Sequence, residues 1–398
     1  MKILLVTSEF PPGPGGIGTH AYHVAVGLSR LGWEPLVLTS QDYAPEDEIE
    51  RFNAAAPFPI VRFHQVPGPP LEAIYREAVL SRWIRKHSPR ILIASGSRSV
   101  LLAAARWRGR GLPWVAIGHG TEFGGDRGWE ARAVRWAFGQ ATSVVCVSEF
   151  TRRRMREARV RARAESVICN GADQERFRTL PPERSLTLRG ELGLEHARIL
   201  ITVGNVTRRK GQDIVVRALP SILEKAPDTH YLVVGLPSRG DEIRAMARGL
   251  GIEDRVHLLG RVEPERQVEL LNAADVFVMT SRRTLAGEVE GYGIAAVEAA
   301  LCGLPAVVAG GSGLAEAVSD GETGLVVPPE DPAATARAVL SLLEDEPKRR
   351  SMGERARQRA QAEQTWDRCT ARYDDVLRRV CEDPSPGGQS ALRGKAAL

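Results

Sequence analysis

Twice along this chain, short apolar runs rich in Val, Ile and Leu alternate with segments of helical periodicity. That double rhythm constrains the fold more than any other feature. The first series places strands at 2–7, 35–39, 90–94, 114–118, 143–147 and 166–169, with helical patterns at about 19–31, 71–87, 98–108, 129–140 and 149–158. The rhythm restarts with strands at 198–203, 230–235, 255–259, 275–279, 305–309 and 324–327, again with helices between. Runs that are apolar at every position have both faces covered, and strands separated by helices run parallel. The expected fold class is α/β, with two doubly wound, Rossmann-like domains. A length of 398 residues is too great for one core and suits two. The expected domains are 1–170 and 198–362, joined by a polar linker over 171–197 that carries Pro181-Pro182. Helical patterns at 331–345, 347–362 and 365–380 follow. Residues 382–398, with Asp383-Pro384-Ser385-Pro386-Gly387-Gly388 at their start, are expected to form a disordered tail.

Composition excludes several classes. Hydrophobic residues make up 43% and charged residues 26%, ordinary values for a soluble chain. Cys146, Cys169, Cys302, Cys369 and Cys381 are scattered without C-x-x-C spacing, which argues against a zinc site or a disulfide framework and suits a reducing cytoplasm. The apolar run at the N-terminus is too short for a signal peptide, and no stretch approaches the length of a membrane span. The net charge of +5 hides an asymmetry: residues 1–170 carry +8 and the remainder −3, while 76–163 alone carry +13, nearly all Arg. A half so basic could face anionic lipid, nucleic acid or a phosphorylated substrate, or could reflect a generally Arg-rich surface.

Four segments carry chemistry. The first strand runs into Glu9-Phe10-Pro11-Pro12-Gly13-Pro14-Gly15-Gly16-Ile17-Gly18, with a helix expected from near Thr19. Such a Gly-rich strand-to-helix turn lets backbone N–H groups approach a phosphate. The dinucleotide fingerprint is incomplete, because the third Gly position is Ala21 and no acidic residue ends the second strand, so the dehydrogenase reading is poor. Gly118-His119-Gly120-Thr121-Glu122 ends a parallel strand, where open α/β sheets bind ligands. Gly204-Asn205-Val206-Thr207-Arg208-Arg209-Lys210-Gly211 opens the second domain, with Lys210 placed between strand and helix to neutralise a diphosphate. Finally, Glu290-Gly291-Tyr292-Gly293-Ile294 leads into a helix carrying Glu298. Its N-terminus can hold a diphosphate, and its two carboxylates can accept hydrogen bonds from a sugar and a ribose.

Together these segments resemble the family-four retaining glycosyltransferases of the two-lobed GT-B fold, the glycosyltransferase group 1 proteins, in particular those of the phosphatidylinositol-mannoside mannosyltransferase type. The matching phrases are Glu-Phe-Pro-Pro-x-x-Gly-Gly at the start, Lys210-Gly211, and Glu290 with Glu298 in the Glu-x7-Glu register. The resemblance runs from about residue 1 to 380 and implies two domains facing a central cleft, the first binding acceptor and the second binding donor. It implies that 363–381 forms a helix crossing back to the first domain. The donor is a nucleoside-diphosphate sugar of the GDP-mannose or UDP-glucose type, used without metal or other cofactor, and the acceptor is a hydroxyl group. By resemblance, His119, Glu290 and Lys210 are catalytic, and Gly15, Gly16, Arg209, Lys210, Gly293 and Ile294 bind the donor diphosphate. Arg261, Val262 and Glu298 meet the base and ribose. One departure stands out: Asn205 occupies a position where the family commonly has Arg, so Arg208 or Arg209 replaces that charge or the site has one cation fewer.

Two other readings stay open, a nucleotide-sugar epimerase or pseudo-glycosyltransferase on the same fold, and a silent nucleotide-sugar-binding protein. The basic segment adds a question of place. Arg152-Arg153-Arg154-Met155-Arg156 with Trp107, Trp129 and Trp136 would suit attachment to the inner face of an anionic membrane by an otherwise cytoplasmic protein. No nucleic-acid partner is expected.

Overall fold

Val, Ile and Leu fit a pleated surface covered on both sides, and the runs that carry them form two all-parallel sheets in a computed structural model of the chain. The structure describes residues 1–382 except 14, 41–43, 65, 67, 107–111 and 125–127. Of the expected 382–398 tail, Glu382 is helical, and the rest, with Trp107, lies outside the described residues. The chain divides into two units: Met1–Val147, Thr151–Ile168 and the chain from Cys369 on form the first, while Ser148–Phe150 and Cys169–Arg368 form the second.

In the first unit the strands are β1 (Lys2–Thr7), β2 (Glu34–Thr39), β3 (Ile60–Arg62), β4 (Ile91–Ser95), β5 (Trp114–Gly118), β6 (Ser143–Cys146) and β7 (Glu165–Val167), in the order β3-β2-β1-β4-β5-β6-β7. Its helices are α1 (Gly16–Arg30), α2 (Glu46–Ala55), α3 (Pro69–His87), α4 (Ser97–Arg106), α5 (Trp129–Gln140) and, from Thr151 on, α6 (Glu149–Glu157). The sequence pattern missed α2 and β3 for a physical reason: α2 buries no residue, and β3 is a three-residue edge strand that is only half-buried. Helix α1 starts at Gly16 rather than near Thr19, with the Thr19 N–H already bonded to the Gly15 carbonyl at 3.0 Å. Its early start depends on Gly18, where a Cβ would stand 3.1 Å from the Phe10 backbone nitrogen.

The second unit holds β8 (Arg198–Val203), β9 (Thr229–Val234), β10 (Val256–Gly260), β11 (Val276–Met279), β12 (Ala306–Ala309) and β13 (Gly324–Val327), ordered β10-β9-β8-β11-β12-β13. Its helices are α7 (Pro182–Glu191), α8 (Gln212–Leu223), α9 (Gly240–Gly249), α10 (Pro264–Ala273), α11 (Ile294–Leu301), α12 (Pro332–Leu343) and α13 (Glu346–Glu363). Residues 171–197, expected as a linker, instead contain α7 and lie within this unit. Polar composition concealed its anchor. Arg189 reaches the Ala273 and Ala197 carbonyls at 2.9 and 2.8 Å and the Asp275 carboxylate at 2.9 Å.

The last helix, α14 (Trp366–Glu382), belongs to the first unit from Cys369 onward. There Tyr373 and Leu377 are fully buried, the Trp33 indole donates to Asp374 at 2.7 Å, and Thr370 fills the space a side chain at Gly27 would need. In both sheets the order reverses beside the first strand, between β1 and β4 and between β8 and β11. Loops leaving the carboxyl ends of such a strand pair frame the ligand crevice of an open α/β sheet.

Candidate donor site

At the switch point of the second sheet, the loop after β8 carries Asn205 to Lys210 and the loop after β11 carries Glu290. The two loops meet closely. A Cβ on Gly211 would lie 2.0 Å from the Thr280 carbonyl oxygen, and φ there is +76°, so only glycine allows the approach. The Thr280 hydroxyl donates to the Gly211 carbonyl at 2.6 Å, and the Arg282 N–H and Nε bond the Arg209 and Arg208 carbonyls, each at 2.9 Å. Arg282 is itself paired with Asp213 at the start of α8. The result fixes the backbone of residues 208–211 against β11.

That clamp sets the charges. Lys210 Nζ lies 2.9 Å from Glu290 Oε2, and the Arg209 guanidinium donates to the same oxygen. Burial alone would push the Glu290 carboxyl up. The Lys210 and Arg209 charges, with their hydrogen bonds, overcome it and hold the group below the usual carboxylate range. Two cations on one carboxylate leave a net positive site. Arg208, by contrast, is exposed, and no ion pair forms at it among the described residues. The Asn205 side-chain oxygen accepts the Leu236 N–H at 3.0 Å, so this residue braces the ends of β8 and β9 and supplies no charge.

Beyond Glu290, the Gly291-Tyr292-Gly293 turn delivers the chain into α11. Gly293 is its left-handed N-cap with φ +92°, and a side chain there would strike Leu314 at 2.4 Å. No acidic residue occupies the first turn of α11 and no side chain caps it, so the amide end near Ile294 keeps its partial positive charge. The Tyr292 hydroxyl accepts from Gln364 at 2.9 Å, and the ring is buried, so this aromatic shapes the turn. One turn into α11, Glu298 accepts from Gln267 of α10 at 3.0 Å. Burial pushes its carboxyl up to about 7, outweighing Arg176, the Gln267 hydrogen bond and Lys210, which pull it down. Two carboxylates eight residues apart thus receive opposite treatment: Glu290 is kept ionised and Glu298 is poised near neutrality. Arg261 is exposed and Val262 half-buried in the loop between β10 and α10, and neither is bonded to Glu298.

In the first unit His119 follows β5. Its Nε2 stands 2.9 Å from Ser95 Oγ, and its backbone N–H donates to the two Glu122 oxygens, Oε2 at 3.0 Å and Oε1 at 3.1 Å. Burial pushes the imidazole down to about 4, so the ring is neutral and suited to hydrogen bonding, not proton abstraction. Glu122, within the 3₁₀ turn Thr121–Phe123, is pushed up to about 6 by burial, against the backbone hydrogen bonds that stabilise it. Gly15 and Gly16 lie at the start of α1 as anticipated. A Cβ on Gly15 would fall 2.2 Å from Glu9 Oε2, however, so a carboxylate already stands at this helix end, while Gly16 opens to free space. Sequence reading passed over Gln267, Arg282 and Ser95, because a polar side chain within ordinary helix, loop or strand text carries no sign of which distant residue it will meet. A cavity of about 530 Å³ lies apart from all these groups, among Arg135, Trp136, Arg159 and Arg161 near the ends of α5 and α6.

Known proteins share this arrangement of sequence and fold. The model described as Glycosyl transferases group 1 matches residues 186–359, and that described as Glycosyltransferase Family 4 matches residues 14–176. A GDP-mannose-dependent alpha-(1-6)-phosphatidylinositol monomannoside mannosyltransferase of Mycobacterium tuberculosis is 31% identical over 95% of this chain and 98% of its own. A monoacylated-substrate counterpart from Corynebacterium glutamicum is 28% identical over 94% of this chain and 97% of its own. Among solved structures, Anabaena HepE in complex with UDP and glucose superposes with a TM-score of 0.81 at 24% identity, covering 95% of this chain and all of that one. WaaG, a glycosyltransferase of lipopolysaccharide biosynthesis, gives a TM-score of 0.72 at 18% identity over 94% of this chain and 99% of its own.

Proposed function

The chain belongs to glycosyltransferase family 4, with the GT-B fold, and on that footing we propose that it transfers a hexosyl group from a nucleoside-diphosphate sugar to a hydroxyl acceptor with retention at the anomeric carbon. The observation that carries the site assignment is the Glu290 carboxylate held by Lys210 and Arg209 beside the uncapped start of α11. As the glycosidic bond breaks, negative charge gathers on the leaving diphosphate. Lys210, Arg209 and the Gly293-Ile294 amide end stabilise it in place, without the reorganisation that water would need. Arg209 is the cation that stands in for the absent Arg at position 205. Glu290, kept ionised, accepts hydrogen bonds from sugar hydroxyls and favours the positive character developing at the anomeric carbon. Glu298 accepts from the ribose, with Arg261 and Val262 toward the base. On the first unit, His119 presents a neutral ring to the donor sugar, and Gly15 and Gly16 offer amides to the diphosphate where Glu9 yields. The acceptor attacks on the face the leaving group departs from, and a phosphate oxygen takes its proton.

GDP-mannose is the proposed donor, because the relatives matched along nearly their whole length are described as GDP-mannose-dependent. The acceptor is proposed to be presented at an anionic membrane surface. Leu71 and Ile74 near the start of α3 and Trp129 at the start of α5 are 59, 66 and 76% exposed. Both helix starts lie at the edge where the parallel strands of this sheet end, as does His119. The Arg-rich stretch of α6 contributes less than its sequence implied, since Arg154 and Met155 are buried and Arg154 donates to the Phe123 carbonyl at 3.1 Å. Incubation with labelled GDP-mannose and UDP-glucose in the presence of anionic lipid extract tests the reading. Transfer to an organic-soluble product supports it, whereas isomerised donor or binding alone would replace it with one of the two other readings. A panel of nucleoside diphosphates identifies the base, because a ligand at 100 times its Kd adds about 2.7 kcal/mol of stability.

A further inference from the structure

A buried chain of four polar side chains runs through the first unit from its last helix to the loop after β5. Tyr373 of α14 meets His20 of α1, with 3.0 Å between the hydroxyl oxygen and Nε2. The His20 ring stands edge-to-face against His119, 5.2 Å between centroids at 83°. His119 Nε2 lies 2.9 Å from Ser95 Oγ of β4. His20, Tyr373 and Ser95 are completely buried, and His119 is 9% exposed.

We propose that His20 and Tyr373 are positioning residues for His119, walling its ring so that Nε2 stays on Ser95 and Nδ1 alone is offered to the donor sugar. The proposal builds on the assignment of His119 to the donor sugar. Three fixed points define the ring: Ser95 on one nitrogen, the Glu122 carboxylate on its backbone N–H, and the His20 ring against its side. Nδ1 has no partner among the described residues, so it is the ring nitrogen left for a ligand hydroxyl. A buried imidazole held by one hydrogen bond could otherwise turn about its last torsion and exchange its nitrogens. Tyr373 acts one step back, fixing His20 through its hydroxyl and through ring contact at 5.6 Å.

The same wall keeps His119 from taking a proton. The titratable and charged groups around the pair are His20 and His23 of α1, Tyr373 of α14, Glu122 of the following turn, Glu9 of the β1 loop acting on Glu122, and Arg154 of α6 on the Phe123 carbonyl. Burial is the main cause holding His20 well below the usual histidine range, with His119 and His23 adding to it, and burial lowers His119 as well. Truncating His20 admits water beside His119 and lets it ionise within the working pH range.

The test is a nitrogen-detected NMR titration of the histidines in the full chain from pH 5 to 8, read with transfer kinetics. In the wild type the His119 nitrogen shifts are expected to stay at those of a single neutral tautomer throughout. In His20→Ala they titrate with a midpoint near 6, kcat falls about tenfold with donor KM within twofold, and the rate acquires a new acidic limb. The double substitution His20→Phe with Tyr373→Phe keeps the ring volumes and removes both ends of the hydrogen bond between them. It is expected to restore the flat titration and most of the lost turnover. His119 shifts in His20→Ala that match the wild type at every pH overturn the proposal. If His20→Ala does not fold, His20→Asn takes its place with the same two outcomes. Because the titration needs no donor, it judges the positioning even if transfer is absent. Unchanged kinetics in His119→Ala would remove the donor assignment instead and leave the wall standing.

Discussion

At the scale of residues, the proposed separation of roles between Glu290 and Glu298 rests on their neighbours. Glu290 has two cations on one oxygen and stays ionised, so Glu290→Gln should mainly lower kcat, because its contacts strengthen as charge develops on the sugar. The ribose contacts proposed for Glu298 would be alike in ground and transition states, so Glu298→Gln should mainly weaken donor binding. Its titration supplies a finer check. With the folded carboxyl raised from 4.5 to about 7, the native state binds the extra proton between those values, so this group's contribution to stability is greatest at low pH and is lost as pH rises through about 7. Ribose hydroxyls donating to the carboxylate favour its ionised form. Nucleoside-diphosphate affinity should therefore rise between pH 6 and 8, with proton release on binding below 7. Calorimetry in buffers of different ionisation enthalpy measures that release, and comparison with Glu298→Gln subtracts the titration of the phosphate itself. Equal proton release by both proteins removes ribose recognition from Glu298. For the cations, Lys210→Ala and Arg209→Ala should each lower nucleoside-diphosphate affinity by about 1.5–3 kcal/mol, the range of a hydrogen bond to a charged group. Arg208→Ala, at an exposed side chain without an ion pair among the described residues, should change it little. Loss of affinity in Arg208→Ala with none in Arg209→Ala would reverse the assignment.

At the scale of elements, the proposed site depends on two glycines in left-handed conformations, of which Gly211 brings two backbones together. Gly211 holds the β8 loop against Thr280, and Gly293 starts α11 in a left-handed conformation against Leu314. In Gly211→Ala the new methyl meets a backbone carbonyl at 2.0 Å and the backbone adopts a strained φ, so the loop has to move. Gly293→Ala meets the end of a Leu side chain, which can swing aside, so the strain of φ is the larger part of its cost. Denaturant unfolding should show Gly211→Ala losing more than Gly293→Ala, by roughly 1 kcal/mol or more. Lys210 sits directly before Gly211, so Gly211→Ala should also weaken nucleoside-diphosphate binding. A Gly211→Ala protein with wild-type stability and affinity would show that the close approach is not needed. The same scale explains how much of the site was legible. Glu290, Glu298 and Lys210 stand at loop and helix starts with a readable spacing. Gln267 on α10 and Arg282 in the β11 loop touch the site only because separate elements pack together, and no spacing along the chain announces that.

At the scale of the whole molecule, the first unit carries the basic half of the chain and exposes Leu71, Ile74 and Trp129, whereas the second holds the Glu290 carboxylate clamped by Lys210 and Arg209. Among the described residues no helix is long and apolar enough to cross a membrane. Co-sedimentation with vesicles containing anionic phospholipid should show binding at low ionic strength that falls as salt rises. Trp129→Ser combined with Leu71→Ser and Ile74→Ser should reduce it severalfold while leaving nucleoside-diphosphate affinity unchanged. Absence of salt-sensitive binding in the wild-type protein would point to an acceptor taken from solution.

What the sequence determined alone was the α/β class and the doubling of the sheet, because a strand apolar on both faces can be satisfied in few ways, and each run declares itself within a handful of residues. It also pointed to the loops proposed to carry the chemistry, since glycines, a lysine and a glutamate in the turns after strands, with a second glutamate eight residues on, are local text. It did not reveal that 171–197 anchors to the second unit or that Arg154 is buried, because those outcomes depend on partners distant in the chain, nor that α2 and β3 exist, because elements that bury little leave no apolar pattern. The choice of Arg209 over Arg208 shows the limit most sharply. Adjacent and chemically identical, the two differ in that Arg282, more than seventy residues away, fixes the backbone so that Arg209 reaches Glu290 while Arg208 extends into solvent. Side-chain direction at a loop is a property of packing, and packing is what the tertiary structure decides.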